Sequence, residues 1–251
     1  MRGAPEEDES VTAQTTRREM QRMATELEIK SVARQQLAQD GVQEVTLRGI
    51  ARDMGMTAPA LYRYFPSLDD LVASMCEDFF EEITEALSAA VAAAGDDGGR
   101  AMHAAIRTFR AWAVGHRNEF ALMFRHGAEN PGDTSSTARF AAVFFDLYLR
   151  LWGTRPFEVP ELTATSAATC GTIRDFVEES FDLVAAGDHA PPPAALFVFT
   201  RTWVRLYGVI GMEVSGQLAF MFDDVTPYFE SELEDAATAL GIPYVPSDAP
   251  A

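Results

Sequence analysis

Residues 46–65, Thr-Leu-Arg-Gly-Ile-Ala-Arg-Asp-Met-Gly-Met-Thr-Ala-Pro-Ala-Leu-Tyr-Arg-Tyr-Phe, decide the reading of this chain. They predict two short helices joined by a tight turn. Thr46 is placed to cap the first helix, its hydroxyl accepting an orphan backbone N–H. Leu47, Ile50, Ala51 and Met54 then share one helical face. Gly55 stops that helix, because the residue past a helix end often takes a left-handed conformation. Thr57 is placed to cap the second helix, and Pro59 falls in its first turn, where a missing N–H costs nothing. Leu61 and Phe65, four apart, return to the core. That leaves Thr57, Ala58, Pro59, Ala60, Tyr62, Arg63 and Tyr64 outward or flanking. Small side chains let a helix approach base edges and hydroxyls reach phosphates, so this face fits a DNA major groove. A helical hairpin inside any all-α core carries similar caps, and the flanking sequence has to separate the two readings.

Upstream, Ile29, Val32, Ala33 and Leu37 form an amphipathic helix that ends before Gly41. Downstream, Pro66-Ser67-Leu68-Asp69-Asp70-Leu71 is a turn in which Ser67 caps a long new helix. With Gly41, Thr46, Ile50-Ala51, Gly55, Leu61-Tyr62, Phe65, Ser67 and Leu71 at these spacings, residues 25–75 resemble the TetR family of bacterial transcriptional regulators. The resemblance implies a three-helix DNA-binding head, a helical ligand-binding body and a homodimer. It puts Thr46 and Tyr62 where the family contacts phosphates and Arg48 where some members read a base. Ala58, Pro59 and Ala60 lie along the groove-entering face, flanked by Thr57 and Arg63. Tyr64 lies where a phosphate-contacting aromatic or histidine is usual. The chain departs from the family after the serine, where a lysine is usual: Leu68 stands there, followed by Asp69 and Asp70. One cation fewer should weaken non-specific binding, since each neutralised phosphate adds affinity through counterion release.

The 251 residues, 47% of them apolar, suffice for one large or two modest cores. The net charge of −18 is uneven. Residues 17–66 hold eight basic and six acidic side chains, whereas residues 67–251 hold 11 and 28. An acidic body repels DNA and leaves the head as the approach, which is electrostatic steering; an acidic surface is equally common among soluble proteins of no such function. Cys76 and Cys170 have no motif spacing and sit in apolar helical contexts, which predicts buried free thiols and fits a reducing cytoplasm. Met1-Arg2 is followed by acidic residues rather than a secretory apolar run. The most apolar stretch, 194–222, is interrupted by Arg201, Arg205 and Glu213, so it reads as a buried helix and not a membrane span.

Composition divides the chain into an acidic, disordered leader (1–16), a helix-turn-helix domain (17–66) and a ligand-binding and dimerisation domain (67–251). Arg17, Arg18 and Arg22 begin the first helix, either as a DNA-touching arm, as in the family, or as a solvated helix end. A long helix is predicted from Ser67 to about Ala94, its apolar face Leu71, Met75, Phe79, Ile83 and Leu87, closed by Gly95–Gly99. Further helices are predicted at 100–116, 118–125, 137–153, 161–187, 194–222 and 225–240. No run of period two appears, so the class is all-α. The segments 110–120 and 203–216 resemble a C-terminal domain variety of actinobacterial TetR-like proteins marked by a tryptophan, a histidine and a glycine; here Tyr207 replaces the histidine.

His103, His116, His126 and His189 have no partners at metal-ligand spacing, and neither a phosphate-binding glycine loop nor a nucleophile elbow occurs. No cofactor is expected, and an enzyme is disfavoured. The body is instead rich in large soft side chains. Phe109, Trp112, Phe120, Met123, Phe124, Phe144, Tyr148, Trp152, Phe176, Phe199 and Trp203 are candidates to line a site for a small apolar or aromatic effector, and any one of them is also an ordinary core residue. His116, Arg174, Asp175 and Glu178 are candidate polar contacts, although Arg174 and Glu178 also form a plain i, i+4 surface pair. Thr200, Val204, Gly208, Gly211 and Ser215 fall near one helical face. Glycine inside a helix costs roughly 1 kcal/mol relative to alanine, and close approach by a second helix would offset this. The reading is therefore a ligand-responsive homodimeric repressor that binds double-stranded operator DNA and pairs through its last two helices. A helical small-molecule-binding protein or enzyme with a vestigial DNA-binding head is the alternative.

Overall fold

The computed structural model describes residues 7–42, 45–129, 135–180 and 190–247. Ten helices occur among them, with no strand: α1 (Glu7–Asp40), α2 (Leu47–Asp53), α3 (Ala58–Leu61), α4 (Leu68–Ala93), α5 (Gly98–Gly115), α6 (Arg117–Glu129), α7 (Ser135–Thr154), α8 (Ala164–Ser180), α9 (Pro193–Val214) and α10 (Thr226–Ala239). The class is all-α, as the pattern predicts.

Two boundaries differ from expectation. Residues 7–16, read as part of a disordered leader, belong to α1. No glycine or proline interrupts residues 7–40, so nothing in the sequence breaks the helix there. Residues 1–6, the last part of the helix predicted over 161–187, and His189 lie outside the described residues. The helix predicted to reach residue 222 stops at Val214. Gly216 takes φ +73°, and Ser215 donates its hydroxyl to the Gly211 carbonyl at 2.8 Å, so the chain leaves the helix there.

The chain divides into two compact units. One runs up to Asp78 and includes Ala121–Glu129; the other holds Phe79–Phe120 and the chain beyond Glu129. The division between these units falls inside α4, and Met123 and Phe124 go with the head unit.

Most of the predicted head core is buried: Ile29, Ala33 and Leu37 of α1, Leu47 and Ile50 of α2, Leu61 of α3, and Leu71 and Met75 of α4; Val32 and Met54, predicted on the same faces, are half-buried. Local chemistry fixes the turns. The Thr46 hydroxyl accepts from the Gly49 N–H at 3.1 Å. Gly55, at φ +64°, lets the Met56 N–H reach the Ala51 carbonyl at 2.8 Å, closing α2. Thr57 occupies the N-cap position of α3, but its hydroxyl makes no capping bond. Ser67 and Asp70 cap α4 reciprocally: the Ser67 hydroxyl accepts from the Asp70 N–H, and the Asp70 carboxylate accepts from the Ser67 N–H and hydroxyl. The Gln36 amide donates to Asp53 at 2.7 Å, bracing α1 against the end of α2.

In the second unit, α5 packs on α7 and α9, and α9 packs on α8 and α10. Two arginines of α5 tie the later chain together. Arg107 makes a bidentate pair with Glu230 and donates to the Val245 carbonyl at 2.7 Å, while the Tyr244 hydroxyl donates to the same carboxylate. Arg110 makes a bidentate pair with Glu213, both contacts at 2.7 Å, and donates to the Thr226 hydroxyl. Arg117 donates to the Glu213 and Val214 carbonyls, satisfying the C-terminal end of α9. Cys76 and Cys170 are buried and form no disulfide.

Candidate nucleic-acid interface and effector region

The capped start of α2, the end of α3 and the capped start of α4 converge in the head. They enclose an open groove of about 510 Å³ lined by Thr46, Leu47, Arg48, Tyr62, Pro66, Ser67 and Leu68. The structure therefore brings three predicted DNA contacts, Thr46, Arg48 and Tyr62, to one concave surface at a helix N-terminus. Backbone N–H groups and the helix dipole favour an anion there. The Thr46 oxygen already accepts from Gly49, so its hydrogen is left to donate outward. A Cβ at Gly49 would come within 2.9 Å of that oxygen, which explains the glycine. Leu68 lies on the same surface, in the place of the family's lysine. Ser67 spends its hydroxyl on Asp70. Outside this groove, Thr57, Pro59 and Arg63 are exposed, and Ala58, Ala60 and Tyr64 are half-buried. Arg17 and Arg18 are exposed on α1, where Arg22 pairs with Glu26 at 2.8 Å.

The aromatic candidates of the other unit separate into groups. Phe109 is the hub of the largest: Phe120, Phe140, Phe144, Trp203 and Tyr207 stand with ring centres 5.2 to 6.2 Å from it. These rings interdigitate almost completely, leaving a void of about 20 Å³, room for about one water. Burial pushes the Tyr207 phenol up to about 12, so it meets any occupant as a neutral hydroxyl. Beside this cluster is an apolar cavity of about 110 Å³ between α7, α8 and α9, lined by Phe145, Phe176, Val177, Phe199, Thr200 and Trp203 among others. Trp203 and Phe199 line both spaces. Tyr148 stacks on Phe199 at 4.6 Å; its phenol is fully buried with no hydrogen-bond partner, and burial raises its pKa.

The remaining candidates lie elsewhere. Trp112 stacks on His116 at 4.8 Å and donates its indole N–H to Glu82 at 2.9 Å. Trp152 meets Phe157 edge-on at 5.1 Å. Arg174 is exposed and paired with Asp175 and Glu178, the surface arrangement. Met123 is buried and Phe124 exposed in the head unit. Phe199, one of the aromatic candidates, lines the cavity, whereas Thr200, placed by the sequence on the small-residue face of the late helix, was not expected there.

Sequence comparison agrees with this geometry at both ends of the chain. Residues 29–75 match the family described as "Bacterial regulatory proteins, tetR family", and residues 102–236 match "Tetracyclin repressor-like, C-terminal domain". The chain belongs to the TetR family of bacterial transcriptional regulators.

Among its relatives, the HTH-type transcriptional regulators Rv1816 of Mycobacterium tuberculosis and Mb1846 of Mycobacterium bovis are each 27% identical over 233 residues, covering 88% of this chain and 94% of theirs. The crystal structure described as "putative regulatory protein SCO4313" superposes with a TM-score of 0.64 at 31% identity, over 88% of this chain and 98% of that one. A protein of unknown function from Rhodococcus sp. RHA1 shares the fold, with a TM-score of 0.52 at 19% identity over 86% of this chain and 93% of that one. This TetR-family chain is thus a transcriptional regulator rather than an enzyme. Among the described residues no helix is long and apolar enough to cross a membrane, and no cluster of three metal-ligating side chains occurs.

Proposed function

We propose that this TetR-family regulator is a homodimeric repressor whose two heads bind the half-sites of a two-fold operator and whose affinity falls when a small apolar or aromatic effector enters the α7–α8–α9 cavity. Family members bind operator DNA and dimerise, and the groove that gathers Thr46, Arg48 and Tyr62 at the start of α4 carries the DNA reading. Thr46 and Tyr62 serve as phosphate contacts, Arg48 reads a base, and Ala58, Pro59 and Ala60 let the short helix approach the groove floor. Binding-site selection from random duplex DNA, followed by footprinting, tests this; recovery of no two-fold motif would overturn it.

The contacts are expected to behave differently when removed. Tyr62→Phe and Thr46→Ala should weaken binding to all sequences alike, because phosphates carry no sequence information. Arg48→Ala should relax one base position at a cost of about 1–3 kcal/mol. An unchanged selected motif for the Arg48 variant would remove that role. Leu68→Lys, which restores the family's cation, should tighten binding to any duplex and steepen the dependence of log K on log salt by about 0.9. A parallel salt plot for this variant would show that position 68 does not face a phosphate.

The effector reading is supported by the cavity's apolar lining and by Thr200, its one hydroxyl-bearing side chain. At about 110 Å³ the cavity is smaller than a drug-sized site, so an effector either is a single-ring compound or displaces Trp203 and Phe199 to join the neighbouring void. Coupling to DNA should be about 1–3 kcal/mol and reciprocal, operator and effector weakening each other equally. Phe199→Ala should enlarge the cavity and change which compounds raise the melting temperature, while operator binding persists. An unchanged compound profile for that variant would place the effector elsewhere.

The dimer is proposed to form through α9 and α10. Val204 is 62% exposed and Met212 42% exposed on the outer face of α9, next to Gly208.

A further inference from the structure

Tyr148 of α7 is set apart by what its hydroxyl lacks. The residue is fully buried, and its phenol oxygen has no hydrogen-bond partner among the described residues. Such a hydroxyl gives up the bonds it makes to water in the unfolded chain and gains none in return, a cost that phenylalanine at this position would not carry. A buried polar group left this way calls for an explanation in what surrounds it.

Three rings contact Tyr148. Its ring centre lies 4.6 Å from that of Phe199 in a stacked pair, 6.1 Å from that of Phe145 and 6.4 Å from that of Phe157. Phe145 and Phe199 both line the 110 Å³ cavity between α7, α8 and α9, so Tyr148 stands directly behind two of its wall residues. Phe199 also borders the 20 Å³ void at the Phe109 cluster. It therefore faces empty volume in two places. A ring facing a void has no atoms to touch there and loses dispersion contacts, so this part of the wall is held least firmly. Once an occupant displaces Phe199, Tyr148 becomes part of the cavity wall.

The chemistry of an occupant follows from the same residues. None of the side chains lining the cavity ionises, and apart from Thr200 they are apolar. A charged ligand would enter without a counter-charge, which is costly. Burial raises the Tyr148 pKa, so the hydroxyl keeps its proton and is able to donate it. We infer that the effector of this cavity is a neutral, mainly apolar ring compound with one hydrogen-bond acceptor, such as a ketone oxygen, and that it displaces Phe199 to take the Tyr148 hydroxyl as its donor. The inference rests on the effector reading above and adds the ligand class and the residue that selects it. Apolar area holds the compound, and Tyr148 discriminates between compounds of equal shape.

Acetophenone and ethylbenzene test this. They have nearly the same size and shape, and one carries a ketone oxygen where the other has a methylene. Calorimetric titration of the full chain gives the ratio of the two affinities. Comparing that ratio between proteins cancels the different hydration of the two compounds. Tyr148→Phe removes one oxygen and keeps the ring stack. In this variant the ratio should shift against acetophenone by at least about fivefold, or about 1 kcal/mol at 1.4 kcal/mol per factor of ten, the net size of one neutral hydrogen bond. The melting temperature of the ligand-free variant should equal or exceed that of the unmodified chain. Phe199→Ala, which removes the ring between the cavity and the hydroxyl, should keep the acetophenone ratio or raise it. A ratio unchanged in Tyr148→Phe overturns the inference and passes the donor role to Thr200 or to no residue, while binding of both compounds leaves the cavity reading standing. A clearly lower melting temperature for Tyr148→Phe also overturns it, because the hydroxyl would then be satisfied in the free protein. If neither compound binds the unmodified chain or Phe199→Ala, the inference and the effector reading fall together.

Discussion

Gly208→Leu is expected to turn the dimer into monomer and to lower operator affinity by at least about 100-fold, or roughly 2.7 kcal/mol. The argument is one of exclusion. Gly208 is exposed in the second half of α9, and a Cβ there would meet nothing within 4 Å. Leucine is a better helix former than glycine by nearly 1 kcal/mol, so a single copy should fold at least as well with it. Only a second copy packed closely on this face can object to the side chain. Once the copies separate, each head holds one half-site, and the fixed spacing that a two-fold operator requires is lost. Sedimentation and gel-shift titration read the two effects independently. A variant that remained dimeric would move the interface off α9, and a monomer with undiminished operator affinity would show that the heads do not act as a pair.

Glu213→Ala should be the most destabilising single change in the body, at about 3–5 kcal/mol. Glu213 is buried, and its carboxylate is held by both Arg110 nitrogens at 2.7 Å. Removing it leaves the Arg110 guanidinium mostly buried over the Phe229 ring, hydrogen-bonded among the described residues to the Thr226 hydroxyl and with Asp224 and Glu230 as more distant charges. An uncompensated charge in that position costs far more than the pair contributes, because desolvation of each ion nearly cancels their attraction. For a chain of this size the melting temperature should fall by about 6–20 °C, at 2–4 °C per kcal/mol. The double change Glu213→Leu with Arg110→Met should recover most of the loss, since it removes both charges together. A Glu213→Ala protein that melted within about 2 °C of the parent would show that solvent reaches the pair and that it is not what joins α5, α9 and α10.

The head was legible in the sequence because its information is local. Thr46, Gly55, Ser67 and the apolar residues between them act over three to six positions, through caps, a left-handed turn and helical periodicity. Each does in the structure what its spacing predicts: the Thr46 oxygen accepts from Gly49, Gly55 takes φ +64°, and Ser67 shares a reciprocal cap with Asp70. Thr57 shows the limit of that logic. Its position is a cap position, but the α3 backbone finds its partners without the hydroxyl. The early start of α1 shows another: composition registered residues 7–16 as disorder, whereas the run from 7 to 40 holds no glycine or proline to end a helix.

The body resisted the same treatment because its decisive contacts join residues far apart in the chain. Periodicity marked Phe109, Phe144, Tyr148 and Trp203 as inward-facing, but not whether their rings would fill the space between helices. Filling is a property of volumes from α5, α7 and α9 together, and they leave about 20 Å³ at the Phe109 cluster and about 110 Å³ beside Phe176. Nor could spacing tell that Arg174 turns to Asp175 and Glu178 on the surface while Arg110 finds Glu213, a partner 103 positions away. The sequence by itself determined an all-α chain, a capped DNA-binding hairpin and membership of a family of regulators, since helix caps and periodicity are short-range. Only the tertiary structure decided which aromatics border a cavity, which ions are buried in pairs, and that the Tyr148 hydroxyl is buried without a partner among the described residues, because packing and burial depend on residues brought together from the whole chain.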